Sequence, residues 1–513
     1  MTPAQPSLAR NTLRGIAVSY GSAVITGAMQ IATTAVVARM VAPRDFGILA
    51  MAQLGVRFAG YFSQFGVGSA LVQKRDLSES DTAAAHLMAI AAGVLFTAAG
   101  LLLAPLGGAV FHSNDVVWVI RALAFTFLLT SFTVAPLSLL RRNLRFDAIS
   151  AIDIASYVLG YAAPCLTLVW LGHGLWGLVA GNLGAVLVQW ILLQSVQPVA
   201  WKWVREWEIY RGLLSYGSRI SITGFLEYIT SNIDTFVVGR YLGPKPLGLY
   251  TRAYNLAAVP MHMMSSAAAR VLFPVFSRVQ HDSVKLARTY KDTLTLLFVL
   301  TCPLGFALVP SAPHIVRLLL GPAWAEAALP LAVFGILAPF DMAVALPGIV
   351  LDATGTLNKK LYVRLATLMA AGTVIYLHRE SGIVTIAWLM LGSCVLTFFG
   401  YHFLVVRQLG MSWSSALSPV LFGACTGAIP LVTIHFAIAF ANLELLPALA
   451  LEGSILILSY VLILVFSPFP MVNAALSRVL TALLGETRQV PENLRSRCLA
   501  LQLLATARAE GGC

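Results

Sequence analysis

An arginine inside an apolar segment is costly to keep charged, and five occupy such positions here: Arg57, Arg121, Arg219, Arg252 and Arg270. A guanidinium group holds phosphate oxygens through paired, charge-assisted hydrogen bonds, so arginines gathered in one cavity would receive a polyanion such as a pyrophosphate. Arg252 and Arg270 stand 18 residues apart, about five full helical turns, and therefore share a face. Asn255 and Ser266 fall within about 60° of that face, with Pro260 disturbing the phase. Upstream, Arg219, Thr223, Glu227, Thr230 and Asp234 form a second stripe about 80° wide. Arg57, Arg219, Arg252, Arg270 and Asn255 are the candidate substrate-contacting residues, with Arg57 set opposite the other arginines. The competing reading is that these charges form ion pairs or snorkel to an interface. It applies most to Arg121 and Arg270, which lie near the ends of their segments. Arg39 and Arg240 also lie at such ends and read as turn or headgroup contacts.

Glu227 and Asp234 have two readings. They would couple transport to protons or sodium, or serve as fixed partners of Arg219 and Arg240. Spans four and five add Arg121 and Asp153 to the intramembrane charges. His86 and His262 lie within spans without a ligand partner at metal spacing and read as hydrogen-bonded packing residues. The six cysteines show no paired spacing, so neither a disulfide framework nor a zinc site is expected. No Gly-x-x-x-x-Gly-Lys-Ser/Thr loop is present, which argues against ATP as a direct energy source. No catalytic residues, cofactor or metal are expected, and the chain does not read as an enzyme.

The elements that position these residues follow from composition. Of 513 residues, 58% are hydrophobic and 11% charged, with a mean hydropathy of +0.81; soluble chains carry about 25% charged residues. Long continuous apolar runs point to an all-α membrane protein with about fourteen transmembrane helices. Spans are predicted near 13–38, 47–72, 82–107, 116–140, 148–171 and 174–195, then near 213–242, 247–275, 290–311, 325–351, 361–378, 382–406, 414–440 and 445–467. With the N-terminus cytoplasmic, 23 of the 34 basic residues fall in inside segments, six in outside segments and five within spans. That bias places both termini in the cytoplasm and accounts for the net charge of +12 without nucleic acid. Loops are short and leave no room for a soluble catalytic domain. The segment Trp201, Lys202, Trp203, Arg205, Trp207, Tyr210 reads as an interfacial anchor.

An internal repeat organises the spans. Arg39, Pro43 and Gly47 align with Arg240, Pro244 and Gly248 at a constant offset of 201, and Tyr20-Gly21-Ser22 matches Tyr216-Gly217-Ser218 at 196. An offset of six spans preserves orientation, which predicts parallel repeats related by an axis along the membrane normal and a cavity between two lobes. The expected division is a first lobe over 1–205 (helices 1–6), a second over 206–410 (helices 7–12), two further transmembrane helices over 411–470 and a basic cytoplasmic tail over 471–513. In-span prolines such as Pro136, Pro260, Pro303, Pro339 and Pro347 mark places for kinks.

At these residues the chain resembles the polysaccharide transport family of the multidrug/oligosaccharidyl-lipid/polysaccharide exporter superfamily. The resemblance rests on the two Arg-x-x-x-Pro-x-x-x-Gly turns, Asp234-Thr235, Asn255 to Pro260, Phe273-Pro274 running into Ser277-Arg278, and Leu320-Gly321-Pro322-Ala323-Trp324. It covers roughly residues 10–410 and implies a V-shaped, two-lobed bundle in the bacterial inner membrane working by alternating access. The Wzx-type members of that family flip undecaprenyl-pyrophosphate-linked oligosaccharides to the periplasmic leaflet for exopolysaccharide, O-antigen or capsule synthesis. Arginines on the second and eighth helices of related lipid flippases line the cavity, which supports Arg57, Arg252 and Arg270. The resemblance also implies a polymerase and export proteins as pathway partners; two internal lobes are consistent with a monomer. A lipid II flippase and a cation-coupled multidrug exporter are the alternatives. Cationic drugs call for acidic cavities, whereas here the intramembrane arginines outnumber the carboxylates.

Overall fold

The computed structural model describes residues 6–63, 67–74, 76–199, 201–212, 228–229, 231–279, 282–354, 356–441 and 443–466. The described residues are helical, with no strand among them. The helices are α1 Pro6–Met40, α2 Pro43–Ser63, α3 Val67–Gln73, α4 Glu79–Phe111 and α5 Asn114–Arg142. Next come α6 Phe146–Trp170, α7 Gly174–Val196 and α8, described over 231–242. The series ends with α9 Pro244–Val279, α10 Ser283–Leu319, α11 Ala328–Ala353, α12 Leu357–Leu377, α13 Ile383–Leu409, α14 Trp413–Ala441 and α15 Leu445–Phe466. A π turn interrupts α6 at Ser156–Ala162, another ends α8 at Val238–Leu242, and a 3₁₀ turn, Pro322–Ala327, precedes α11.

Apart from the short α3, these helices correspond one for one to the fourteen expected spans. Among the described residues, eleven are long and apolar enough to cross a membrane: α1, α4 to α7 and α10 to α15. Only part of α8 is described, and on α9 the side chains of 262–279 lie outside the described set. By packing, the chain forms two compact units: Met1–Ala267 with Ile315–Pro330 and Leu368–Met390, and Ala268–His314 with Leu331–Thr367 and Leu391–Cys513.

In the first unit the repeated motif has a physical role. Pro43 opens α2 and Pro244 opens α9, each at the first helical position, where a missing N–H costs nothing. Four residues on, Gly47 and Gly248 let the two helices meet backbone to backbone. A Cβ on Gly47 would lie 1.7 Å from the Pro244 carbonyl oxygen, and one on Gly248 would lie 1.9 Å from that of Pro43. The contacts around this crossing recur at the repeat offset. Arg44 pairs with Asp115 at 2.7 Å, and Lys245, its counterpart, pairs with Glu326 at 2.8 Å. The Trp324 indole donates to the Ala38 carbonyl at 2.8 Å, while at the counterpart Gly239 a Cβ would meet the Phe111 ring at 3.1 Å. The ion pairs are exposed and contribute little; the close packing of small residues is what holds helices together where lipid offers no hydrophobic drive.

The other long helices are fixed at their ends by ordinary means. Ser78 and Asp81 form a reciprocal capping box at the start of α4, and His112 ends it in the left-handed conformation at φ 50°. Arg39 donates to the Leu318 carbonyl at the end of α10, satisfying an orphan acceptor there.

In the second unit, α10, α11 and α13 enclose a core of Tyr290, Leu294, Phe298, Leu346, Phe398 and Val405. Phe298, Phe340 and Phe398 meet edge to face. Gly423 and Gly427 on α14 leave room for Phe298 and Phe306, and the Tyr460 hydroxyl on α15 donates to the Leu300 carbonyl. The last two spans therefore dock on α10 within this unit.

Gly47→Val places branched carbon where a carbonyl oxygen stands and forces α2 from α9. It is expected to destabilise the protein by at least about 3 kcal/mol, read as lost monodisperse protein on detergent chromatography. Gly55→Val on the same helix, where a Cβ meets nothing within 4 Å, should be tolerated.

Candidate anion-binding site

Beyond the Gly47–Gly248 crossing, α2 and α9 carry the charged residues of interest. Phe46 is buried beside the crossing, and the Arg252 guanidinium lies 4.9 Å from its ring centroid. Phe46 in turn meets Trp324 edge-on at 5.2 Å. Arg252 is thus seated on the packing that joins the repeats. Its Nε is buried without a hydrogen-bond partner among the described residues. Arg57 lies 11 residues beyond Phe46 on α2, within about 20° of the same helical face. Both Arg57 and Tyr161 of α6 lie within electrostatic range of Arg252.

Two like charges held near each other, one of them with a buried Nε that lacks a hydrogen bond among the described residues, are unfavourable in an apolar surrounding. A bound anion would relieve both the repulsion and the missing hydrogen bond. Asn255 is exposed one turn beyond Arg252 on α9 and can add a neutral donor. The arrangement provides anion recognition; no nucleophile or acid–base pair accompanies it among these residues.

Arg57 is carried by α2, and Arg252 and Asn255 are carried by α9. Arg219 and Glu227 lie outside the described residues. Arg270 is carried by α9, but its side chain, like that of His262, is outside the described set. Asp234 is buried and accepts a hydrogen bond from Tyr250 at 2.7 Å. Arg240 reaches His112 instead, with its Nη1 2.7 Å from Nε2, so the Asp234–Arg240 pairing is not formed. Arg121 stacks over Trp118 at 5.0 Å, and Asp153 accepts from Gln189 at 3.2 Å. His86 is buried against Trp201 and Phe132 through ring contacts, and its Nδ1 has no hydrogen-bond partner among the described residues. That corrects the expectation of a hydrogen-bonded histidine at this ring nitrogen.

Two polar pairs in the second unit were not anticipated. His314 of α10 meets the buried Glu452 of α15 at 2.5 Å, and Tyr290 meets His402 at 2.7 Å. Glu452 is the one ionisable residue in the 22-residue α15, and a lone carboxylate in such a run is the signal that would have found it.

Replacing a partly buried charge whose Nε lacks a hydrogen bond by an apolar side chain of similar shape removes a standing cost. Arg252→Met is therefore expected to raise the thermal unfolding midpoint in detergent, by the equivalent of about 1 kcal/mol or more. A lowered midpoint would show that the guanidinium serves the fold.

Comparison with known proteins agrees with this geometry. A family profile described as "Polysaccharide biosynthesis protein" matches residues 36–329, more than half of the chain. The teichuronic acid biosynthesis protein TuaB of Bacillus subtilis is 23% identical over 456 residues, covering 84% of this chain and 92% of the relative. The succinoglycan biosynthesis transport protein ExoT of Rhizobium meliloti is 28% identical over 324 residues, 62% of this chain and 64% of the relative. Among solved structures, the lipid II flippase MurJ in an inward closed conformation superposes with a TM-score of 0.70 at 12% identity, covering 91% of this chain and 99% of that one. At that identity the likeness shows a shared fold. Fold, repeat and profile agree, and the chain is a multi-pass membrane protein that belongs to the polysaccharide biosynthesis protein family.

Proposed function

We propose that the protein is a flippase that carries undecaprenyl-pyrophosphate-linked oligosaccharide units from the cytoplasmic to the periplasmic leaflet of the bacterial inner membrane, supplying polysaccharide synthesis. The observation that carries this reading is Arg252, a cation whose buried Nε has no hydrogen-bond partner among the described residues, set within electrostatic range of Arg57, the two standing on the second helix of each repeat. A pyrophosphate presents two or three negative charges and oxygens spaced for guanidinium forks. The family membership and the transport function printed for ExoT support the same substrate class.

In this reading the two six-helix lobes rock about the Gly47–Gly248 end. The headgroup enters between α2 and α9, and Arg57, Arg252 and Asn255 hold the pyrophosphate, with Arg219 and Arg270 as further members of the cavity. The prenyl chain stays in hydrocarbon. The crossing end faces the periplasm and both termini face the cytoplasm, following the distribution of basic residues. Glu227 and Asp234 remain the proposed ion-coupling residues. The protein acts as a monomer and hands its product to a polymerase and export proteins, without chemistry of its own.

Deletion is expected to accumulate complete lipid-linked repeat units on the cytoplasmic side and to abolish polymer, measured by mass spectrometry and a periplasmic ligase reporter. Complementation with Arg252→Ala or Arg57→Ala should reduce polymer by about tenfold or more, the loss of a charge-assisted hydrogen bond. Normal polymer with raised sensitivity to cationic drugs would place the protein among the multidrug exporters. Loss of peptidoglycan precursors from the periplasm would make it a lipid II flippase.

A further inference from the structure

The first unit holds a second feature that the central arginines do not use. A cavity of about 740 Å³ runs between α2, α4, α5 and the residues 228–236 leading into α8. Its lining is almost wholly apolar, and it stands partly open, with Phe58, Leu103 and Phe236 exposed at its edges. Along α4 it extends from Phe96 to Phe111, about 22 Å of helix at 1.5 Å per residue. That is close to half of the roughly 40–45 Å thickness of a bilayer with its headgroups. A long, narrow, apolar trough one leaflet deep fits an extended hydrocarbon chain better than a compact solute. The Tyr228 hydroxyl, which would otherwise introduce polarity, is turned away onto the Leu54 carbonyl at 2.7 Å.

One end of the trough is cationic. Phe111 and Phe236 line that end and meet at 5.9 Å. His112 follows Phe111, and Arg240 lies one turn beyond Phe236. Arg240 contacts the His112 ring and stands over Tyr241 at 5.9 Å; Arg379 covers the other neighbours, 5.3 Å from the Tyr241 ring and 4.8 Å from that of Tyr376. Among the described residues no carboxylate pairs with Arg240, while Arg379 is 3.5 Å from Glu380. Apolar length capped by a guanidinium without a counter-ion, flanked by interfacial tyrosines, matches the two halves of one amphipathic molecule.

We propose that this trough is a binding site for an anionic bilayer phospholipid. One acyl chain lies along α4 and the phosphate lies at Arg240 and His112. The site is separate from the Arg57–Arg252 pair. On α2 the lining residues Gly55 and Ala59 lie about 160° around the helix from Arg57.

The test uses the purified full chain in detergent, with native mass spectrometry counting retained lipid and thermal unfolding titrated with phosphatidylglycerol or phosphatidylcholine of the same acyl chains. Wild type should retain phosphatidylglycerol and be stabilised by it in preference to phosphatidylcholine. Gly55→Leu fills the trough from a position where a Cβ meets nothing within 4 Å. It should weaken phosphatidylglycerol binding by about tenfold or more, since each displaced methylene removes hydrocarbon contact. Arg240→Gln leaves the trough open and should cut the preference for the anionic headgroup by about fivefold. An unchanged lipid-free unfolding midpoint for each variant shows that folding is intact; if Gly55→Leu fails this check, Arg240→Gln decides alone. Equal phosphatidylglycerol retention by wild type and by every variant that passes overturns the proposal. So does retention of added undecaprenyl phosphate with no phosphatidylglycerol, which would assign the trough to the transported lipid. Neither result bears on polymer synthesis through Arg252, so this site and the transport function fail separately.

Discussion

The structure depends on one close approach: α2 and α9 touch through Gly47 and Gly248, each backbone occupying the space a side chain would need from the other. Hydrocarbon gives helices no solvent-driven reason to associate, so dispersion at short range and the absence of side-chain bulk have to supply it. The prolines four residues earlier fix where each helix begins, and hence which residue arrives at the crossing. Arg44–Asp115 and Lys245–Glu326 then latch the flanking turns in matching fashion. A duplicated sequence thus becomes a two-fold arrangement at one end of the bundle.

That crossing also determines what the charged residues can do. Phe46 lies one residue before Gly47 and Arg252 lies four after Gly248, so anchoring the glycines places the guanidinium against the aromatic ring. Trp324 closes the other side of Phe46 and ties it to α1 through Ala38. Arg252 is consequently held against that ring with its buried Nε lacking a hydrogen-bond partner among the described residues, the state in which an arriving phosphate gains most from it. A protein built for stability alone would place a carboxylate or an apolar residue there. The contrast with Asp234 is instructive: its buried carboxylate already accepts a hydrogen bond from Tyr250.

The second unit solves its polar problem differently. Two of its histidines have partners, Glu452 for His314 and Tyr290 for His402, and its glycines on α14 receive aromatic rings rather than backbone. The two C-terminal spans are packed into the core of this unit, where Gly423 and Gly427 abut Phe298 and Phe306.

How much was legible in the sequence depends on the range of the physics involved. Apolar runs determined the membrane class and the order of spans, because the length of a crossing helix is set by the bilayer and by nothing else in the fold. The offset of 201 between Arg39-Pro43-Gly47 and Arg240-Pro244-Gly248 determined the repeat. Helical periodicity placed Arg252 and Asn255 on one face, since a period needs only local geometry. Which charges end up paired was decided by tertiary structure alone. Nothing near Arg240 in the chain announces His112, 128 residues away, and nothing near Glu452 announces His314, 138 residues away. Helical period settles only which face of its own helix a residue occupies; which helix packs against that face is a property of the assembled fold.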